Sequence, residues 1–429
     1  IVFIPISEEM PSESLVDLVN TFNPNLLFLR HGSSNEIIQN RETVYFEALD
    51  GENDPKLTYF SDWLVDEVNH IDLPEILESD LAVILYTSGS TGNPKGVQLS
   101  HAQLFQSAEN MVQAYHWDIS DRFLVIGELD SMSGLRNTCL VTALSGSVAV
   151  VPTYEQIIHM GNLLDCIHEN NISVLVASPA LYYQLALRKE AKSKLAKLRL
   201  ALSTGGKLTT DLKNNFYEKT SKYILNYYGL TETAGICIYE PIGFHNFTEG
   251  IIGIPINCMI KIVDVDGNPI ENGKTGELCI YGNTISNGYW GENRNITDAQ
   301  GWYHTGDLGR MDEEGIIYLE GRTTEIIKNA QSKIVNLAEV EQTIRSLSMV
   351  SDVGLIPLFQ NETETYAVFT AAINADESEL VTFKIKEAIE NRFGEKMTPN
   401  SILIVDSIPR TSNGKLNKQK LTKLIKENY

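Results

Sequence analysis

Between Tyr86 and Gly96 the chain reads Tyr-Thr-Ser-Gly-Ser-Thr-Gly-Asn-Pro-Lys-Gly. Gly89, Gly92 and Gly96 permit left-handed backbone and close approach of the chain to a ligand. Ser88, Ser90 and Thr91 add hydroxyl donors and Lys95 adds a cation. The backbone N–H groups of such a loop suit a polyphosphate. It is not a Walker A loop, because Lys95 is followed by Gly96 and no Ser or Thr is left to meet Mg²⁺. A flexible surface turn is the other reading of the same residues. The five cysteines, Cys139, Cys166, Cys237, Cys258 and Cys279, form no C-x-x-C pair. They predict neither a zinc ribbon nor a disulfide framework, but reduced thiols used as small core residues in a cytoplasmic protein.

The elements that position this loop follow from hydrophobic patterning. Leu81–Tyr86 is a near-continuous apolar run, and an amphipathic stretch starts at Ser100. Phe123–Gly127, Ser147–Val151, Ser173–Ala177 and Leu198–Leu202 are further apolar runs separated by helix-like segments. Such alternation predicts an α/β domain whose parallel strands are covered on both faces. From Gly253 to Tyr281 alternating residues around Asp-Val-Asp-Gly-Asn-Pro predict a small antiparallel β unit. Beyond Arg322, helices over Ala338–Leu347 and Leu380–Phe393 and strands over Val353–Pro357 and Tyr366–Ala371 predict a compact α+β domain.

Charge supports the same division. The chain has 429 residues, with 34 Lys+Arg against 56 Asp+Glu and a formal net charge of −22. Residues 322–429 hold 14 of each sign, so the excess belongs wholly to residues 1–321. A boundary at Gly321 is expected, with a large domain of 1–321 and a small one of 322–429. The bulk field repels nucleic acid, and no run of about 18 apolar residues can span a membrane. The first residues, Ile-Val-Phe-Ile-Pro-Ile, read as a strand entered in mid-fold, so the N-terminal part is expected to be truncated.

The stretch Tyr86–His101 resembles the signature loop of the adenylate-forming superfamily, which contains acyl-CoA synthetases, peptide adenylation domains and luciferases. The resemblance recurs in the family's order: Ser203–Leu208, Asn226–Thr233, Gly276–Trp290, Trp302–Arg310, Tyr318–Arg322 and Ile408–Leu421. It implies ATP-dependent activation of a carboxylic acid as acyl-AMP, with release of pyrophosphate, then transfer to a pantetheine thiol. The resemblance assigns Thr87, Ser88, Ser90, Thr91 and Lys95 to the phosphates, Glu232 to Mg²⁺ and Thr231 to the α-phosphate. It assigns Tyr228 to stacking on adenine, Asn226 to the adenine edge, Asp307 to the ribose hydroxyls and Arg322 to ribose or phosphate. Lys415, in Ser-Asn-Gly-Lys, resembles the lysine that bridges carboxylate and phosphate during adenylation. A cation on a glycine-flanked loop is what a transient pentavalent phosphate requires. The lysines from Lys418 onward read as a solvated helix face. The thiol acceptor implied is CoA or the phosphopantetheine of an acyl or peptidyl carrier protein.

Three departures qualify the resemblance. Thr324 stands at the hinge where Asp or Lys is usual. Gln331 or Ser332 stands where a glycine normally lets the pantetheine arm pass, which weakens the thiolation half-reaction more than the adenylation half. Ser133 falls where α-amino-acid enzymes carry an ammonium-binding Asp, and a hydroxyl cannot neutralise an ammonium ion, so an α-amino acid is disfavoured. Ser131 replaces the His or aromatic residue of many acyl-CoA synthetases. The pocket is expected to include Gly205, Gly206 and Lys207; Lys207 either meets a second substrate carboxylate or sits in solvent. A catalytically impaired nucleotide-binding or regulatory homologue is the alternative function.

Overall fold

The computed structural model of the chain describes residues 1–6, 10, 12–29, 42–46, 58–63, 74–88, 94–244, 247–293, 295–323, 326–328, 334–360, 363–372, 378–394, 397–399, 401–409 and 416–428. These form two compact units, Pro5–Asp80 and Ile1–Ile4 with Leu81–Tyr429. In the first, strands Leu26–Leu29 and Glu42–Tyr45 pair in parallel. Helix Ser12–Phe22 supplies Val19 to a small core with Leu27.

In the second unit the predicted parallel sheet is present. Strands Val148–Val150, Arg122–Leu124, Val174–Ala177, Leu200–Ser203 and Ile224–Leu230 lie side by side in that order, all parallel. The edge strand Val148–Val150 is largely exposed, contrary to expectation; in the inner strands the continuous apolar runs have a direct cause. Val174, Val176, Leu200, Leu202, Leu225 and Tyr227 face one core, shared with Ala108, Met111 and Tyr115 of helix His101–Tyr115. Leu175, Ala177, Ala201 and Ile224 face the other, against helices Met160–Glu169, Pro179–Ala186 and Thr210–Thr220. Side chains alternate across a strand, so burial on both faces demands an apolar residue at every position.

The antiparallel unit expected from Gly253 to Tyr281 is not separate. Strands Gly235–Tyr239, Ile251–Pro255, Ile317–Arg322, Tyr303–Met311, Gly276–Gly282 and Cys258–Val263 continue outward from Ile224–Leu230, making one 11-stranded mixed sheet. Tyr228, Ile238, Ile252, Leu278 and Ile317 form the core of this half.

Two expectations are corrected. Leu81–Ser88 does not join the parallel sheet but pairs antiparallel with Pro94–Ser100. The phosphate-type loop therefore joins two strands rather than a strand and a helix. The helix waits until Ser100, whose side chain accepts from the Gln103 N–H while the Gln103 side chain accepts from the Ser100 N–H. Upstream of that cap Val97 and Leu99 alternate inward, a strand pattern. The predicted N-terminal strand is a single parallel bridge, Phe3 to Val83.

After Arg322 the α+β pattern holds. Strands Val350–Gln360 and Thr363–Ala372 pair antiparallel, and Ser401–Ile404 adds in parallel. Helices Leu337–Arg345 and Ser378–Phe393 cover them through Val340, Ile344, Val381, Ile385 and Ile389. No described helix is long and apolar enough to cross a membrane. All five cysteines are free; Cys166, Cys237 and Cys279 are buried, whereas Cys139 is exposed.

Asp121 ties three of the parallel strands together. It is 1% exposed, accepts from Arg199 Nε at 2.7 Å and from Ser173 Oγ at 2.7 Å, and caps the Asp118 N–H at 3.0 Å. Burial alone would raise its carboxyl; Arg199, the Asp118 N–H and Ser173 together outweigh that and hold it below the usual carboxylate value. A depressed folded pKa adds stability above the unfolded value, about 3.9, which is lost as pH falls through the folded value. Asp121→Asn is expected to cost about 2 kcal/mol, less than a fully buried pair because Arg199 is partly solvated. Its melting temperature should fall less steeply with acid than that of the parent. Equal acid slopes in scanning calorimetry would contradict the assignment.

Candidate active site

The site is assembled where the hairpin of Leu81–Ser100 meets the turn after Ile224–Leu230. Thr87 and Lys95 stand directly opposite each other in the hairpin. Ser90, Thr91 and the glycines Gly89 and Gly92 lie outside the described residues, as does the side chain of Ser88. The segment 286–290 is laced between hairpin and turn. The Trp290 N–H donates to Gly96 O at 2.7 Å, the Gln98 N–H to Gly288 O at 3.0 Å, and the Ser286 N–H to Glu232 O at 2.8 Å. Gly96 is needed here, since a Cβ would come within 2.9 Å of Ile84 Cγ2.

This lacing delivers Tyr289 between two predicted site residues. Lys95 Nζ lies 4.5 Å from the centre of the Tyr289 ring, and the Tyr289 hydroxyl donates to Glu232 Oε1 at 3.0 Å. Burial first, and Glu232 second, push the Tyr289 phenol well up, so it stays a donor. Tyr303 bonds Tyr289 and is raised in the same way. Lys95 is paired with Glu292 at 3.1 Å, with both partners partly exposed. Sequence reasoning singled out Lys95 and Glu232 but missed Tyr289, Tyr303 and Glu292. The available signal was the aromatic residue in Asn-Gly-Tyr-Trp, the end of a block already noted.

The turn itself is tight. Strand Ile224–Leu230 ends in a single 3₁₀ turn, Thr231–Thr233, and returns as Gly235–Tyr239. Buried Thr233 accepts from the Leu230 N–H at 3.0 Å. At Gly229 a Cβ would sit 1.4 Å from Gly235 O, so no other residue fits without moving backbone. Upstream, the Asn226 N–H donates to Glu240 Oε2 at 2.6 Å, and Glu240 is paired with buried Lys213. Thr231 and Glu232 are half-buried on the turn.

A second group forms on the same strand. Tyr228 donates its hydroxyl to Asp307 Oδ2 at 2.6 Å, and Arg322 Nε lies 2.8 Å from Asp307 Oδ1. Burial, then the Asp307 charge, holds the Tyr228 phenol well above its ordinary range. Asp307 is 3% exposed and sits just after Gly306, which takes φ +71°. Glu277 braces that corner, accepting from the Gly306 N–H at 3.0 Å and facing His304 Nδ1 at 2.9 Å. Glu277, Cys279 and His304 converge closely enough to hold a metal. Burial pushes the Cys279 thiol up to about 12.

The expected pocket residues stand on other segments, and Met132, between Ser131 and Ser133, packs with Ala234 of the turn. Ser131 caps helix Met132–Leu135, accepting from the Gly134 N–H at 3.1 Å and donating to Glu128 O at 2.8 Å. Ser133 follows on that helix, half-buried. Gly205 takes φ +78° with open space beside it, and Gly206 packs near Pro179. Lys207 pairs with Glu249 at 3.0 Å, half exposed. Thr324, Gln331, Ser332 and Lys415 lie outside the described residues.

A family model described as AMP-binding enzyme matches residues 1–290. The chain belongs to that family. This is the adenylate-forming superfamily implied by the ordered blocks, and membership places the chain among the acid–thiol ligases. The indoleacetate–CoA ligase of Aromatoleum aromaticum is 26% identical over 357 residues, covering 82% of this chain and 69% of its own. The D-alanine–D-alanyl carrier protein ligase of Bacillus cytotoxicus is 27% identical over 359 residues, covering 79% and 69%. The chain thus spans roughly two thirds of the length of these relatives. Among solved structures, ATP-bound MatB from Rhodopseudomonas palustris superposes with a TM-score of 0.86 at 21% identity, covering 100% of this chain and 84% of that one. MenE of Bacillus subtilis, an o-succinylbenzoate CoA synthetase with its acyl-adenylate, gives 0.81 at 21%, covering 98% and 82%. The family's α/β fold is therefore present along the chain.

Gly229→Ala tests the turn. Forcing a methyl against Gly235 O should destabilise the protein by at least about 1–3 kcal/mol and displace Glu232. Melting curves with and without Mg·ATP should show a lower midpoint and a smaller nucleotide-induced rise. A midpoint and rise equal to the parent's would refute the packing argument.

Proposed function

We propose that the protein activates a carboxylic acid other than an α-amino acid as its adenylate. It then passes the acyl group to the pantetheine thiol of CoA or of an acyl carrier protein. The observation that carries this reading is the convergence of Lys95 and Glu232, far apart in sequence, on the two sides of Tyr289. A cation and a carboxylate gathered on one tyrosine suit a metal-bound polyphosphate.

In the proposed reaction the acid's carboxylate oxygen attacks the α-phosphorus of ATP, and the bond to the bridging oxygen of pyrophosphate breaks. Lys95 exchanges Glu292 for phosphate oxygens; an exposed ion pair is worth only about 0–1 kcal/mol, so the exchange is cheap. Glu232 fits a Mg²⁺ ligand, since Oε1 is oriented by Tyr289 and Oε2 has no hydrogen bond among the described residues. That ion, when bound, would neutralise charge on the phosphate oxygens. Thr231 is offered to the α-phosphate. Asp307, held by Tyr228 and Arg322, presents a fixed carboxylate to the ribose hydroxyls, with Arg322 beside ribose or phosphate. Tyr228 is buried along this edge and Asn226 is anchored through its N–H, so adenine would lie against the same strand. Ser131, Ser133 and Gly205–Lys207 are assigned to the acid. Residues 1–321 would bind acid and ATP, and residues 322–429 would act as a mobile lid carrying Lys415 to the reacting phosphate. In the second half-reaction the thiol attacks the acyl carbonyl and AMP leaves.

Two half-reactions allow a sharp test. Lys415→Ala should lower acid-dependent pyrophosphate exchange by about 10²-fold or more, the usual loss of one charge-stabilising donor. Thioester formation from preformed acyl-AMP should stay near the parent rate. Equal loss of both would overturn the two-conformation reading, and exchange with none of a broad acid panel would overturn the activity.

A further inference from the structure

Arg136 is 0% exposed, yet among the described residues it has no carboxylate within ion-pair distance. Its Nε donates to Asn137 Oδ1 at 3.0 Å, Nη1 to Ser107 Oγ at 3.4 Å and Nη2 to the Tyr227 hydroxyl at 3.3 Å. The guanidinium also lies 5.3 Å from the centre of the Tyr227 ring. An arginine carries about five N–H donors, so these bonds leave donors unmatched, and the two Nη bonds exceed the usual range of about 2.7–3.2 Å. Beside it, the buried Asn137 Nδ2 has no hydrogen-bond partner among the described residues. A buried cation without a counter-charge is strongly unfavourable, and buried charges are normally paired.

Its position ties this unpaired charge to the reaction centre. Arg136 opens a six-residue π-helical stretch, Arg136–Val141, a geometry that concentrates at functional sites. It follows directly on the helix that carries Ser133. A Cβ at Gly235 would stand 2.2 Å from Nη1, so glycine is what lets the guanidinium reach the strand that leaves the Thr231–Thr233 turn. Ser107, which accepts from Nη1, in turn donates to Ala234 O at that turn. Lys207 offers no comparable receptor, because it is surface-exposed and already paired with Glu249.

We propose that Arg136 receives a second carboxylate of the acid, so that the enzyme activates dicarboxylic acids. This rests on the acid-activating reading above. One carboxylate attacks the α-phosphorus and releases pyrophosphate. The other stays ionised, takes the unmatched N–H donors of Arg136 and Asn137 Nδ2, and supplies the missing counter-charge. Only the long bonds to Ser107 and Tyr227 have to yield.

The test is pyrophosphate exchange by the full chain with malonate through adipate, each against its monomethyl ester. At least one diacid should exceed its ester in kcat/KM by about 10²-fold or more, because a site built for a polar group rejects the analogue lacking it. Arg136→Met should remove that preference, lowering the diacid rate while sparing or raising that of the ester. Equal use of diacids and esters, or equal loss of both in Arg136→Met, overturns the proposal. If Arg136→Met fails to fold, the parent's preference decides alone. Exchange confined to monocarboxylic acids sinks only the Arg136 assignment; exchange with no acid sinks the activity as well.

Discussion

The architecture of the site depends on a close backbone approach between Gly229 and Gly235. The two strands that meet there can be joined by one 3₁₀ turn only because Gly229 has no side chain to strike Gly235 O. On one side the approach lets Arg136 pack beneath the turn; on the other it holds Glu232 outward toward Tyr289. Tyr228, one residue earlier, is committed by the same pleat to the face where Asp307 waits. A buried cation, a carboxylate and the tyrosine that bonds Asp307 are thus fixed by one steric constraint rather than by separate loops.

The mixed sheet explains why the site lies at this seam. Parallel strands buried on both faces give a rigid block, and the antiparallel strands continue it without an edge between them. Ile224–Leu230 is the strand where the parallel half passes into the antiparallel half. Its far end is the place to which the hairpin, the 286–290 segment and the Thr-Gly-Asp corner can all reach. Local charge follows the same logic. The chain as a whole carries −22, yet Lys95 is held by a partly exposed pair with Glu292 and by the face of the Tyr289 ring, both weak interactions.

Much of this was legible in the chain, for identifiable reasons. Runs such as Val174–Ala177 announce parallel strands because burial on both faces leaves no polar position. Ser100 with Gln103 announces a helix start because both cap bonds are local. Leu81–Ser88 was misplaced because an apolar run does not say which strand it pairs with, and its partner follows only after the loop. Alternation predicts the small β unit because it marks antiparallel strands, but it does not show which sheet they extend. Tyr289 and Arg136 were passed over because neither type, read singly, differs from an ordinary core or surface residue.

Sequence by itself determined the chemistry on offer: the Gly/Ser/Thr/Lys loop, the Thr-Glu-Thr and Thr-Gly-Asp carboxylates, and their order along a family of enzymes. Those features are local, set by residue type and near-neighbour spacing. Only the tertiary structure decided that Lys95 and Glu232 share one tyrosine, that Asp307 is held by both Tyr228 and Arg322, and that Arg136 is sealed from water with no acidic partner among the described residues. These are facts of long-range packing. Desolvation and pairing depend on which distant strands close over a side chain, and no window of sequence carries that information.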